Sequence, residues 1–273
     1  MKKIFSVIVL LIASTHWQVM AAQSKNPISP YDTVFIEEMT WLEVRDAIKA
    51  GKTTAIIATG GVEQNGPYLA TGKHNVILKL TTDKIARQLG NALVAPIVAF
   101  VPEGDKKPPT KHMRYPGTIS LTEKTFMLLL TEIAESLKVH GFTEIVLLGD
   151  SGGNQSGMNK LAKSLNKAWQ KDKARVHFVP EYYDNPRWTK WLQARGINEV
   201  KDGEHHDFRH TALMMLADPM SVRMPQRIAT GDFSVNGIDL MPMSKTLSLA
   251  KELLRYQTDI TVAAINQRVN AKP

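Results

Sequence analysis

The chain contains no cysteine among its 273 residues, which excludes disulfides, thiolate metal ligands and a lipidated cysteine. Stability therefore has to come from a packed core, and 43% hydrophobic content over this length is enough to bury one. Blocks of like charge are also missing. Lysine and arginine are scattered along the predicted helices, and no stripe of basic residues is interleaved with aromatics, so nothing marks a nucleic-acid surface. The formal charge of +8 includes Lys2 and Lys3 and falls to +6 without them. Long apolar runs are absent as well. The run from Ile4 to Ala13 covers only about ten residues, against the roughly 20 needed to cross a bilayer. With the basic start Met1-Lys2-Lys3 before it and the small residues Val19-Met20-Ala21-Ala22 behind it, this run reads as a secretory signal peptide over residues 1–22. The expectation is a periplasmic or secreted mature chain, residues 23–273, with no stable membrane span after processing.

What is present is an alternation of two periods. Thr40 to Lys49 has the apolar spacing of an amphipathic helix, with Trp41, Val44, Ala47 and Ile48 on one side, and Thr53 to Thr59 is a short buried strand opening into Gly60-Gly61. The pattern continues as a helix over Ile77–Leu89, a strand over Leu93–Phe100 and a helix over Thr122–His140. A strand over Glu144–Leu148, a helix over Asn154–Lys171, a strand over Arg175–Pro180 and a long terminal helix over Lys245–Gln267 complete it. Strands alternating with helices predict a single-domain, three-layer α/β/α fold with a mainly parallel sheet, whose strand-end loops gather in one cleft.

One of those strand ends reads Leu147-Leu148-Gly149-Asp150-Ser151-Gly152-Gly153-Asn154. Its GDSGG core resembles the nucleophile segment of trypsin-like serine proteases, but that fold is all-β, and here the segment leaves a strand and enters a helix. A tight strand-to-helix turn explains the glycines, with Asp150 or Ser151 as a helix cap. Gly149 and Gly153 also frame Ser151 as G-x-S-x-G, so a serine hydrolase with Ser151 as nucleophile, His205 as base and Asp207 or Asp150 as orienter is one reading of the site.

Three strand-end segments, taken in order, carry a more specific likeness. They are Glu63-Gln64-Asn65-Gly66-Pro67 with Gly72-Lys73-His74-Asn75 beyond it, His112 four residues before Pro116-Gly117-Thr118, and the glycine-rich turn after the third strand. Together they resemble the creatininase, or creatinine amidohydrolase, family, and the likeness runs from Thr40-Trp41-Leu42-Glu43-Val44 to the C-terminal helix. The resemblance implies a creatininase-like α/β fold, a divalent metal, a small-molecule substrate and a homo-oligomer, and family members act on several small amides and related compounds. Glu63 falls on the family's metal-binding glutamate. Asn65 stands in place of its histidine, His74 in place of its aspartate, Ser151 in place of the histidine of the turn, and Gly153 where some members supply a second acidic ligand. His205 aligns with a histidine associated with catalysis, and His210 with an acidic residue.

These departures suggest a rearranged ligand set. A carboxylate appears at Asp150 as an imidazole appears at His74, so Glu63, His74 and Asp150 are the expected ligands of one Zn²⁺, with Mn or Fe as alternatives. Glu63 and His205 are the expected catalytic residues, and His112, Ser151 and Asn154 the expected substrate contacts. His206 and His210, four apart, form a secondary candidate pair for a metal, against plain solvent exposure. The resulting expectation is a metal-dependent hydrolase of a small non-peptide amide, cyclic amides included. The serine hydrolase and a non-catalytic binding protein with a degenerate metal site stand as its alternatives.

Overall fold

The computed structural model describes residues 25–271, so the expected signal peptide over residues 1–22 lies outside them. Four strands form one parallel sheet: β1 (Thr54–Thr59), β2 (Ala92–Val94), β3 (Glu144–Gly149) and β4 (Arg175–Phe178), in the order β2-β1-β3-β4. β1 and β3 are in register from Thr54 opposite Glu144 to Thr59 opposite Gly149. Both central strands are buried almost throughout, as expected of a parallel sheet covered on its two faces.

Alternation along these strands divides the core. Ala55, Ile57, Ile145 and Leu147 point to one face, where Phe126 and Leu130 of α3 (Glu123–Val139) and Met158 and Leu161 of α4 (Gly152–Ala168) pack. Val44, Ala47 and Ile48 of α1 (Trp41–Lys49) join the same face. Ile56, Ala58, Val146 and Leu148 point the other way, onto Leu78 and Ile85 of α2 (Lys73–Leu89) and Val262 and Ile265 of α8 (Met243–Asn270). Helix layers on both faces give the α/β/α arrangement. A third apolar cluster lies beyond the second face, where α2 and α8 meet α5 (Asn185–Gln193) and α6 (Phe208–Ala217). A short helix α7 (Met224–Thr230) and the small hairpin β5 (Ser234–Val235) and β6 (Ile238–Asp239) complete the chain.

Two boundaries differ from the sequence expectation for identifiable reasons. The apolar run beginning at Leu93 was expected to be strand as far as Phe100, but the regular ladder stops at Val94: Ala95 N still donates to Ile56 O, and the next bond to β1 comes from Val98 N to Ala58 O, so the chain slips by one residue around Pro96. The chain rejoins the sheet through an isolated bridge between Val98 and Thr59, and Val101 then bridges to Ser120. Helix α2 starts at Lys73, not Ile77, so His74 belongs to a helical first turn and not to a loop.

Candidate metal centre

All three segments singled out in the sequence arrive at the carboxyl end of the sheet, each held by a local device. After β1, the side chain of Asn75 in α2 accepts from Gly61 N and donates to Gly61 O, fixing the exit of the loop. Glu63 N then donates to Thr71 O, and Ile119 N donates to Val62 O, tying this loop to the segment that carries His112. His112 sits in a 3₁₀ turn over Lys111–Arg114, and Lys111 enters that turn with a left-handed backbone, φ 47°, a conformation that non-glycine residues adopt at some energetic cost. After β3, α4 passes so close to the preceding loop that a Cβ on Gly153 would lie 2.4 Å from the Pro102 carbonyl oxygen. Only glycine permits that approach.

At the centre is His74, buried at 3% exposure. Its Nε2 lies 2.8 Å from Glu63 Oε1 and its Nδ1 2.8 Å from Asp150 Oδ2. Carboxylates on both nitrogens hold the ring protonated: burial and the neighbouring Lys73 work against the charge, but the bonds to Asp150 and Glu63 raise the His74 pKa. Burial would lift the two carboxyls, yet His74 brings Glu63, and His210 and His74 bring Asp150, well below the usual carboxylate range. This corrects the expected single-ion set. Glu63, His74 and Asp150 do meet, but around an imidazole with a carboxylate on either edge, so the three cannot converge on one ion.

Two other groups bring ligand atoms within 4.8 Å of one another: Glu63, His112 and His205, and His74, Asp150 and His210. In the first, His112 Nε2 is 3.3 Å from Glu63 Oε2, and His205 Nδ1 is 3.5 Å from Glu63 Oε1. Ligands about 2.0–2.1 Å from a tetrahedral zinc stand about 3.3 Å apart. His205 Nδ1 is buried with no hydrogen-bond partner among the described residues, and burial together with the Lys73 charge depresses the His205 pKa to about 4, with burial also lowering His112. Both rings are therefore neutral near pH 7 and keep lone pairs. The donor set of two imidazoles and one carboxylate fits a catalytic zinc-type ion with open positions.

The second group lies deeper and is fully hydrogen-bonded. His210, expected at the surface, is buried, with Nδ1 2.5 Å from Asp207 Oδ2 and Nε2 2.6 Å from Arg209 Nη2. Asp207 caps α6 by accepting from His210 N, and the resulting first turn carries both Arg209 and His210 inward. His206 bonds to Asp202 instead, so the secondary pair His206 and His210 does not form. Asp150 is not a cap. Its oxygens face His74 and Arg209, the latter at 3.4 Å.

A cavity of about 720 Å³ opens over these groups, lined by Glu63, His112, His205 and Ser151 and walled on one side by Trp188 and Leu192. Ser151 opens α4 without a side-chain cap bond, and its hydroxyl makes no hydrogen bond to an imidazole among the described residues, which leaves the serine reading without a base. Asn154 is a correction too. It is fully buried and donates to Thr59 O, Thr59 Oγ1 and Gly60 O, so it clamps the end of β1 to α4 and does not line the cavity. Three residues not singled out by the sequence, Lys73, Arg209 and Glu103, complete the site together with His210. Lys73 Nζ, buried, stands 3.6 Å from Glu63 Oε1. Arg209 and His210 come from α6. Glu103 lines the cavity; burial and the neighbouring Glu63 charge push its pKa up to about 9. The adjacency of Lys73 to His74 and of Arg209 to His210 was a usable signal, whereas Glu103 follows a proline in an irregular segment and carried none.

The creatininase family model, described as creatinine amidohydrolase, matches residues 37–253. The creatinine amidohydrolase of Pseudomonas putida is 23% identical over 249 residues, covering 87% of this chain and 95% of that protein. The 3-dehydro-scyllo-inosose hydrolase of Thermotoga maritima is 24% identical over 172 residues, covering 63% of this chain and 50% of that protein. A crystal structure of creatininase superposes with a TM-score of 0.64 at 21% identity, covering 89% of this chain and all of the other. Forms described as manganese and zinc–zinc creatininases superpose with TM-scores of 0.64 and 0.59, each at 20% identity, covering 88% of this chain and 100% and 98% of theirs. The chain belongs to the creatininase family.

Proposed function

We propose that the chain is a hydrolase of small non-peptide amides, cyclic ones included, working with one divalent ion held by Glu63, His112 and His205. The observation that carries this reading is the convergence of two neutral imidazoles on one carboxylate, with a buried, unpartnered nitrogen at His205, at the floor of the cavity. When bound there, a divalent ion would polarise the amide carbonyl and activate water. Zinc suits the donor set best, with manganese and iron also compatible. In this assignment His205 is a ligand, not the proton carrier expected from the sequence. Glu103, which holds a proton against Glu63 and lines the cavity, takes the role of delivering a proton to the departing nitrogen.

The surroundings favour a compact substrate. The cavity volume suits a small molecule, with Trp188, Leu192 and Ile197 as its apolar wall. Arg209 lines the same cavity, and its Nη1 has no partner among the described residues, which leaves its N–H groups for a substrate oxygen. Export by the N-terminal segment and assembly into a homo-oligomer belong to the same proposal; the first is read by mass spectrometry as a mature chain starting near Ala22 or Gln23. The activity is tested on a panel of linear and cyclic small amides. Turnover should stop on chelation, return with zinc or manganese, and be lost in His112→Ala and His205→Ala. Turnover indifferent to chelator would reject the ion.

A further inference from the structure

The segment over residues 199–206 walls one side of the cavity and carries His205, yet it contains no helix or strand to hold it in place. What it rests on is the tip of the hairpin β5–β6. Each strand of that hairpin is two residues long, far short of a ribbon stable by itself. Asn236 and Gly237 form its turn with left-handed backbones, φ 50° and 75°, as a tight two-residue hairpin turn requires, and Asn, Asp or Gly can meet that requirement. Turn chemistry therefore accounts for the backbone of Asn236. It does not account for its burial, at 4% exposure, in a hairpin tip that would ordinarily point into water.

Every polar group of Asn236 is spent on the 199–206 segment. Its carbonyl oxygen accepts from Val200 N at 2.8 Å, and its N donates to Asp202 Oδ2 at 3.3 Å. In the side chain, Oδ1 accepts from Asp202 N at 3.2 Å, and Nδ2 donates to Glu199 Oε1 at 3.1 Å and to His206 O at 3.0 Å. An amide combines an acceptor with two donors, whereas a carboxylate only accepts. Asp202 extends the grip by accepting from Glu204 N at 3.0 Å and pairing with His206 Nε2 at 2.8 Å. Both chain neighbours of His205 are thereby tied down. The His205 ring packs against His112, with centroids 4.2 Å apart, and its Nδ1 has no hydrogen-bond partner among the described residues. Its place beside Glu63 is thus set through the backbone.

We infer that Asn236 is a positioning residue of this site: its amide latches the 199–206 segment so that His205 stands beside Glu63. It acts through Glu199, Asp202 and His206 O, not by touching the reacting atoms. That His205 serves as a metal ligand there rests on the function proposed above; the latch does not.

The test compares three variants of the mature full-length protein. Asn236→Gly keeps the left-handed backbone and removes only the side chain, so the turn still forms. Asn236→Asp keeps an acceptor for Asp202 N and loses both donors. Leu253→Ala, at a buried core position of α8, controls for general loss of stability. Amide hydrogen exchange over 199–206 and the histidine ring signals are read on the ion-free chain, and affinity is read by titration with zinc alone. Both Asn236 variants should speed exchange in the segment by about tenfold or more, shift the His205 signals, and weaken zinc by about 10–100-fold, the usual scale for residues that orient a ligand. Leu253→Ala should lower the melting temperature and leave all three readouts unchanged. Wild-type exchange in Asn236→Gly, wild-type behaviour of Asn236→Asp, or faster exchange with unmoved His205 signals would overturn the inference. If no form binds zinc while exchange and the His205 signals respond as expected, the latch is upheld and the one-ion function is rejected, so the two can fail separately.

Discussion

Replacing His74 by alanine removes the one group among the described residues that touches both buried carboxylates, and the structure sets the scale of the loss. Glu63 and Asp150 are 1% and 0% exposed, and each loses a hydrogen bond of 2.8 Å to a charged ring. Hydrogen bonds to charged groups contribute about 1.5–3 kcal/mol each, and breaking a buried ion pair on one side costs about 3–5 kcal/mol. The two figures describe the same interaction and are not added, so the expected destabilisation is about 3–5 kcal/mol. Lys73 beside Glu63 and Arg209 beside Asp150 keep it from being larger. Urea unfolding of the metal-free protein measures it. Adding Asp150→Asn to His74→Ala should recover part of the loss, because the orphaned charge disappears with its partner, and a double-mutant cycle should show coupling above about 0.5 kcal/mol. A loss under about 1 kcal/mol, or additive effects of the two substitutions, would refute the charge clamp.

The same cluster fixes a pH dependence. Glu63 and Asp150 are held below their ordinary values, so their contribution is complete above about pH 4 and is lost as pH falls through the folded values. The His74 pKa is raised, so its contribution is complete below about pH 6.5 and is lost as pH climbs through its folded value. Thermal melts of the metal-free protein should therefore decline from about pH 6.5 upward, and that decline should be absent in His74→Gln. Asn154→Ala removes three buried donor contacts and should cost about 1–3 kcal/mol in urea while leaving KM unchanged, since the residue does not line the cavity. Ser151→Ala should retain most of the turnover, and a serine-directed phosphonate should leave the wild-type chain unlabelled by mass spectrometry.

The sequence was most legible where burial and periodicity coincide. The central strands β1 and β3 read correctly because each is a short apolar run on a sheet covered from both sides. The long helices α3 and α8 read to within a few residues, because their apolar spacing is sustained. Reading failed where polar residues are buried. Lys73, His74 and Asn75 look like loop and are the first turn of α2, and His210 looks like surface and is enclosed by Asp207 and Arg209. Periodicity carries no information about such positions, because their burial is paid for by partners far away in the chain. Asp150 shows the limit most clearly: the type of residue was informative, but whether it faces an ion or an imidazolium depends on where His74, 76 residues earlier, points its ring.

The central claim is most directly tested by anomalous scattering from crystals of the mature protein soaked in zinc or manganese. One peak per chain is predicted, bounded by Glu63, His112 and His205, with none between Asp150 and His210. A peak at Asp150 and His210, or a fully active crystal form with no peak at Glu63, would contradict the account.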